Sequence, residues 1–149
     1  GMRALLQRVS RADITVEGVQ TGSIGQGYVI LLGVGHDDDE TAAEKLWTKT
    51  RRLRIFDDGD GKANLSLEDV GGDVLIVSQF TLYANCRRGN RPSFTDAGAP
   101  AAAEALYERF VELARADMAH VETGVFGADM QVDLTNDGPF TIWLDTADL

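Results

Sequence analysis

The chain has 149 residues, of which 44% are hydrophobic and 26% charged, and this length and composition are typical of one globular domain with its own core. The formal net charge of −10 argues against broad, non-specific binding to nucleic acid, because such binding needs a positive surface. No run of about 18 apolar residues occurs, so no membrane span is predicted.

The first third of the sequence predicts two strands and a helix. Residues 4–18 are β-rich in their middle and end in a Glu-Gly turn, and residues 25–34 form an apolar run bounded by glycines. Residues 36–56 begin with acids and end with arginines, the charge order that a helix dipole favours, so a helix is predicted from about 39 to 52. Its predicted buried face consists of Ala43, Leu46, Trp47 and Thr50.

The middle of the sequence predicts a loop, a long strand and a second helix. Residues 57–72 are rich in turn residues, but their spacing does not match a calcium-binding loop. Residues 73–84 predict one strand, whose apolar first half is typical of a central strand covered on both faces. Residues 99–117 predict a helix with Pro100 in its first position. The predicted buried stripe of this helix is Ala103, Leu106, Phe110 and Leu113.

The last part of the sequence predicts a β-hairpin. Residues 128–136 and 139–146 are interpreted as two strands joined through Asp137-Gly138, with Pro139 at an unusual place for a sheet. The order of elements predicts the α+β class: a mixed, largely antiparallel sheet with two main helices on one side.

The standard catalytic and cofactor motifs are missing. With only His36 and His120 and no Cys/His cluster, no metal site is predicted, and the absence of a complete phosphate- or dinucleotide-binding glycine loop predicts no cofactor. Ser78 and Thr81 have no evident histidine partner to activate them. Together with Gln79, they form a polar group at the end of an apolar strand. They are either the solvent-exposed end of that strand or a set of donors that stabilises an oxyanion.

Positive charge is carried mainly by arginine, with 11 arginines against 3 lysines, and it is clustered at residues 51–54 and 87–91. Arginine suits bidentate contacts with phosphate, so these clusters are either solvated surface charge or contacts for a short RNA end. The single cysteine, Cys86, and the lack of a signal-peptide pattern favour a reducing, cytoplasmic location. Gly1 before Met2 is interpreted as a tag remnant, so the predicted single domain spans residues 2–149.

Two motifs, Ser-Gln-Phe-Thr-Leu at 78–82 and Asn-x-Gly-Pro-x-Thr at 136–141, stand among the flanking stretches LLQRVSRADITVEG, GYVILLGVGHDDDE, RIFDDGDGKANLS and RGNRPSF. In this order and spacing the sequence resembles the D-aminoacyl-tRNA deacylase family, often called D-Tyr-tRNA deacylase, from Met2 to about Thr146. The resemblance implies hydrolysis of D-aminoacyl-tRNA to the free D-amino acid and tRNA, a proofreading step in translation. It also implies activity on glycine attached to an alanine tRNA, and no cofactor.

The resemblance further implies a homodimer that binds the tRNA 3′ end in two sites at the subunit interface. Ser78, Gln79, Phe80 and Thr81 match the catalytic pocket of one subunit. Thr81 is assigned a positioning role, with the ribose 2′-hydroxyl of the tRNA assisting hydrolysis, and the role of nucleophile is the alternative.

Substrate selection is implied for a second group of residues. Gly138 and Pro139 of the other subunit match a cis peptide whose carbonyl groups exclude L-amino acids by clash with their Cβ, and Arg8 matches the arginine that supports them. The remaining pair, Phe126 and Met130, matches positions that hold the terminal adenosine.

Two alternatives stay open. Phe140, which follows Gly138-Pro139, occupies a position where D-specific members usually have a small β-branched residue, whereas a related branch acting on L-alanyl-tRNA has a trans Gly-Pro and often an aromatic residue there. The Ser-Gln-Phe-Thr-Leu motif has the D-specific form. The second alternative is a non-catalytic nucleic-acid-binding module, against which the net charge of −10 argues.

Overall fold

The computed structural model describes residues 1–149 as a six-stranded mixed sheet, a two-stranded ribbon and three helices. The strands are β1 (Arg3–Val16), β2 (Val19–Ile24), β3 (Gly27–Gly33), β4 (Phe56–Asp57), β5 (Ala63–Leu65), β6 (Asp73–Ser78), β7 (Val121–Thr123) and β8 (Met130–Asp145). The helices are α1 (Glu40–Arg52), α2 (Leu67–Val70) and α3 (Pro100–Asp117). Two 3-10 turns span Phe80–Tyr83 and Thr146–Asp148. The predicted α+β class is confirmed.

The sheet combines both kinds of strand pairing. Strand β1 pairs antiparallel with β2, β3 and β8, whereas β6 pairs parallel with β3 and with β7. The two small strands β4 and β5 form the separate ribbon. No helix is both long enough and apolar enough to cross a membrane.

The two main helices match the predictions. Asp39 caps α1 by accepting a hydrogen bond from the Ala42 N–H at 2.9 Å, and all four residues predicted for its inner face are buried. Pro100 opens α3, where its missing N–H costs no hydrogen bond. Two residues of the predicted stripe, Leu106 and Phe110, are buried; Ala103 and Leu113 are only partly so. The other buried residues of α3 are Tyr107, Val111 and Ala114.

Two apolar layers cover the two faces of the sheet. The larger lies between the helices and the sheet, where Leu46 and Phe110 pack over strand residues such as Ile30 and Ile76. The smaller lies on the opposite face and consists of Val9, Ala12, Ile14, Ile24, Val29, Leu75 and Val77. Strand β6 therefore contributes to both layers, which confirms the prediction of a central strand covered on both faces.

The prediction of one strand over residues 73–84 is wrong in its second half. Strand β6 ends at Ser78, and after Gln79 the chain turns into the 3-10 segment Phe80–Tyr83. The Gln79 N–H donates to the Leu32 carbonyl at 2.8 Å, near the end of partner strand β3. The turn then packs over Gly33, where an added Cβ would lie 3.2 Å from the Cβ of Leu82.

The predicted hairpin at the C-terminal end is also wrong. Strand β8 runs in one direction along nearly the whole of β1, and both of its halves pair with β1 rather than with each other. Gln7 lies opposite Thr141 and Val9 opposite Asn136, so residues 137–140 form a bulge opposite Arg8. The bulge explains how proline is accommodated, because Pro139 lies outside the ladder and needs no N–H there.

Candidate active site

A cavity of about 710 Å³ opens at the carboxyl end of β6. Its lining is mainly apolar, and Asp129, an exposed residue, is its only ionisable side chain. The predicted site residues that line it are Ser78, Gln79, Phe80, Phe126 and Met130. An apolar cavity with a few polar groups at one end is typical of a small-ligand site.

The polar end of the cavity is formed by the 3-10 turn that follows β6. The first hydrogen bond within the turn is donated by the Leu82 N–H to the Gln79 carbonyl, at 3.2 Å. The N–H groups of Phe80 and Thr81 come before that of Leu82 in the chain, and at the start of a 3-10 turn such groups have no acceptor within the turn. Such amides can stabilise negative charge that develops on a carbonyl oxygen.

Thr81 lies on the same turn but not in the cavity lining, and it is exposed. Its hydroxyl accepts a hydrogen bond from the Gln79 side-chain amide. Neither histidine reaches it: His36 contacts the Thr95 carbonyl, at 2.6 Å, and His120 lies between two carboxylates. The geometry contains no Thr-His pair of the kind that activates a nucleophile.

Phe126 and Met130, four residues apart, are a second part of the cavity lining. The Phe126 ring packs against Tyr107 with a centroid separation of 6.1 Å, and the Tyr107 hydroxyl donates to the Ile76 carbonyl at 2.9 Å. Burial raises the pKa of Tyr107 to about 12, so the phenol is neutral at physiological pH. A Cβ on Gly124 would lie 2.4 Å from the Met130 Sδ, so the absence of a side chain at Gly124 leaves room for Met130 in its present position.

One more part of the cavity lining, Phe94, was not predicted from the sequence. Phe94 lines the cavity and meets Phe80 edge-on with a centroid separation of 5.0 Å. The segment that follows Phe94 is attached to the end of β3, because the Gly98 N–H donates to the Val34 carbonyl at 2.8 Å. Phe94 belongs to the stretch RGNRPSF, which carried the family resemblance, but no side-chain pattern assigned it to the cavity.

The Gly138–Pro139 bulge forms a second, separate cluster. Its peptide bond is cis, and both residues are exposed. The Asn136 side chain closes the bulge by donating to the carbonyls of Arg8 and Phe140, at 3.0 and 2.9 Å, and by accepting from the Phe140 N–H at 3.0 Å. Glycine is required at position 138 because φ is +131° and a Cβ would lie 2.9 Å from Arg8 Nη2.

Arg8 is buried beneath this bulge. Its Nε donates to the Asp137 carbonyl at 3.0 Å, and its Nη1 donates to the Ile55 carbonyl. The charge is balanced by the carboxylates of Asp57, 3.6 Å from Nη1, and Asp137, 3.8 Å from Nε. A planar guanidinium with several fixed donors can hold a backbone bulge in one position.

The two clusters do not meet within one chain. Arg8 lies opposite Tyr28, and Tyr28 opposite Val74, so the bulge on β8 is three strand spacings, about 14 Å, from β6. It is also level with Val74 rather than with Ser78, four residues further along β6. The exposed bulge and the open cavity are therefore distinct features of the monomer surface.

The family model and the curated relatives indicate one family. Residues 5–145 match the family model described as D-Tyr-tRNA(Tyr) deacylase. Among curated proteins, the chain is 58% identical to D-aminoacyl-tRNA deacylases of Thermomicrobium roseum, over 99% of this chain and 96% of the relative, and of Paracoccus denitrificans, over 99% of both. Among solved structures, it is similar to the c-Myc DNA Unwinding Element Binding Protein, with a TM-score of 0.91, 40% identity, and coverage of 96% of this chain and 97% of that one.

Proposed function

The chain belongs to the D-Tyr-tRNA(Tyr) deacylase family, and on that premise we propose that it hydrolyses the ester linking a D-amino acid to the 3′ end of tRNA. The enzyme class, a hydrolase of aminoacyl-tRNA esters, follows from the family. The observation that carries the proposal for this chain is the apolar cavity lined by Ser78, Gln79 and Phe80, at the start of the 3-10 turn Phe80–Tyr83. We place this activity in the cytoplasm.

The proposed reaction adds water to the ester carbonyl, forming a tetrahedral intermediate whose oxyanion faces the Phe80 and Thr81 amides. Its collapse breaks the bond to the 3′ oxygen, which leaves as a hydroxyl, and releases the free amino acid. The adenosine lies between Phe126 and Met130. No base contacts Thr81, so we assign it to positioning the turn through Gln79. The family resemblance implies that the ribose 2′-hydroxyl assists the water.

Selection against L-amino acids falls to the Gly138–Pro139 bulge of a second subunit. The bulge is exposed and braced from below by Arg8 and Asn136, so its carbonyl groups form a stiff surface rather than a mobile loop tip. An L-amino acid would drive its Cβ into these oxygens, while a D-amino acid directs its side chain away. Glycine has no Cβ, so glycine on an alanine tRNA is also a substrate.

The distance between bulge and cavity within one chain supports a homodimer with composite sites. Co-expression tests this directly, using one copy with Phe80→Ala and another with Arg8→Ala. In a two-fold symmetric dimer, one of the two sites in each heterodimer would regain both wild-type elements, so a random mixture should recover about a quarter of wild-type activity. No recovery, with heterodimers verified by two tags, would contradict the shared site.

Paired deacylation assays test the reaction and its selectivity. D-Tyr-tRNA, L-Tyr-tRNA and L-Ala on a non-alanine tRNA are incubated separately with the purified chain. Rapid loss of only the D-ester is expected. Preference for the L-alanyl ester would instead mean that Phe140 marks the L-alanyl-specific branch.

The similarity to the c-Myc DNA Unwinding Element Binding Protein favours one alternative, a non-catalytic DNA-binding module. The net charge of −10 argues against tight binding to duplex DNA. Tight, strongly salt-dependent duplex binding without hydrolysis of any ester would support the module and reject the deacylase.

A further inference from the structure

An arginine-rich loop leaves the rim of the cavity and returns to it. Asn85 and Ser93 form an antiparallel bridge, with N–H to carbonyl distances of 2.7 and 2.9 Å in the two directions. Between them lie Arg87, Arg88 and Arg91, all exposed. One end of the loop follows the turn that carries Phe80, and the other leads directly into Phe94, so both ends attach to cavity walls.

These three arginines differ from most others in the chain because they have no partner. Five of the 11 arginines form ion pairs with carboxylates: Arg3, Arg8, Arg11, Arg51 and Arg109. Arg54 bonds to Asn64. No side-chain hydrogen bond or ion pair is formed by Arg87, Arg88 or Arg91. In a chain with a net charge of −10, this is a concentrated positive surface whose only acidic neighbour along residues 84–99 is Asp96.

The loop is close enough to act on whatever enters the cavity. Arg91 is three residues from Phe94, a separation of at most about 10 Å even in extended chain. A nucleoside held at Phe126 and Met130 would have its preceding phosphates outside the apolar cavity, in solvent at the rim. Guanidinium groups bind phosphate with paired, charge-assisted hydrogen bonds.

We propose that Arg87, Arg88 and Arg91 bind successive phosphates of the single-stranded 3′ end that leads into the cavity. The loop thereby supplies the affinity for the nucleic acid that the apolar cavity and the acidic remainder of the surface do not provide. This inference rests on the proposed function and adds to it the surface that holds the strand outside the reaction site.

The test compares two substrates with the full-length chain: D-Tyr-tRNA and the D-tyrosyl ester of adenosine, which lacks every phosphate. Changing all three arginines to alanine should lower kcat/KM for the tRNA by about 100-fold, mainly through KM, because each of three exposed guanidinium–phosphate contacts contributes up to about 5-fold. Hydrolysis of the adenosine ester should stay within about 2-fold of wild type, since stacking at the cavity supplies its binding. The slope of log KM for the tRNA against log salt should fall by about 2, at about 0.7 per lost phosphate contact on a single strand.

The matched control is Arg115→Ala, which removes an exposed, unpaired arginine about 22 Å further along α3 from Pro100. Both substrates should be hydrolysed as by wild type. Changing Arg87, Arg88 and Arg91 to lysine should keep most of the salt dependence of KM for the tRNA, because the three positive charges remain.

Equal losses on the two substrates would overturn the proposal, because the loop would then act by shaping the cavity. Unchanged kinetics on the tRNA would also overturn it. Measuring the binding of uncharged tRNA at several salt concentrations tests the phosphate surface independently of the reaction. If the wild type hydrolyses neither ester but the triple alanine variant binds uncharged tRNA more weakly than the wild type, the phosphate surface stands and the deacylase proposal fails. If the wild type bound duplex DNA as tightly as it binds uncharged tRNA, a single-stranded 3′ end would be rejected as the ligand.

Discussion

The guanidinium carbon of Arg8 lies 4.6 Å from the centroid of the Phe140 ring. The same side chain donates to the Asp137 carbonyl, so Arg8 contacts the residues immediately before and after Gly138–Pro139. Phe140 is also the residue at which the family resemblance implies a departure from the usual D-specific pattern. In this chain its ring packs against the buried guanidinium, so the departure has a structural use in bracing the bulge.

Arg8→Lys should therefore disturb the bulge while keeping the positive charge. Lysine cannot reproduce the fork that reaches both Asp137 and Ile55, and its stacking on Phe140 is weaker. We expect kcat/KM for D-Tyr-tRNA to fall about 10- to 100-fold and the free energy of unfolding to fall by about 1–3 kcal/mol. Arg11→Lys, at an exposed ion pair on the same strand, is the control in both the urea unfolding and the deacylation measurements. Unchanged kinetics in Arg8→Lys would contradict a bracing role for Arg8.

Thr81→Ala should reduce activity only moderately. The substitution removes the hydroxyl that accepts the Gln79 amide, so the turn is less well positioned, but its backbone N–H groups remain. We expect kcat to fall about 10- to 100-fold, less than the roughly 10²- to 10³-fold loss of an oxyanion donor, because the amides themselves remain. A fall approaching ~10⁶-fold, as when a catalytic serine is removed, would restore Thr81 as nucleophile. Thr41→Ala, at an exposed position of α1, is the control. Rapid quench with labelled substrate would reveal any acyl-enzyme.

Phe126→Leu should weaken nucleoside binding with little effect on the fold. Leucine keeps apolar contact with Tyr107 but cannot stack on a base, and stacking contributes about 1–3 kcal/mol. The expected result is a KM about 5- to 150-fold higher for D-Tyr-tRNA and the adenosine ester alike, with kcat nearly unchanged. Val125→Ala changes the exposed neighbour outside the cavity and should have no effect. Unchanged KM in Phe126→Leu would place the base elsewhere.

Helices were predictable from the sequence because their 3.6-residue period shows which side chains share a face. The face of α1 from Ala43 to Thr50 is buried as predicted. The two-residue period of a strand, in contrast, does not reveal which other strand it pairs with. The two halves of β8 have the same alternation whether they pair with each other or with β1, and only the length of β1 allows the second arrangement.

The site was only partly predictable for a related reason. The motif at residues 78–82 locates the cavity, but no local pattern shows that Phe94 reaches it from a distant loop. Sequence order likewise cannot show that the bulge at Gly138 and the cavity at Ser78 are separated by three strand spacings within one chain. That separation depends on strand order across the sheet, which only the structure provides.

His120 should make stability depend on pH. Its Nε2 lies 2.8 Å from Glu122 Oε1 and its Nδ1 lies 3.2 Å from Asp73 Oδ2. The hydrogen bond to Glu122, and then the contact with Asp73, raise the pKa of His120 above its usual value. The stabilising contribution is therefore complete below the unfolded-state pKa, about 6.5, and is lost as pH rises through the higher folded-state pKa.

His120→Gln should remove this dependence. Measured by urea unfolding between about pH 5.5 and 9, wild type should be more stable than the variant at the acid end, and the difference should shrink as pH rises through the folded-state pKa of the histidine. His36→Gln is the matched control, because the His36 ring contacts the Thr95 carbonyl rather than a carboxylate pair. If the wild-type and His120→Gln curves stay parallel over the whole range, the two carboxylates do not stabilise the charged ring.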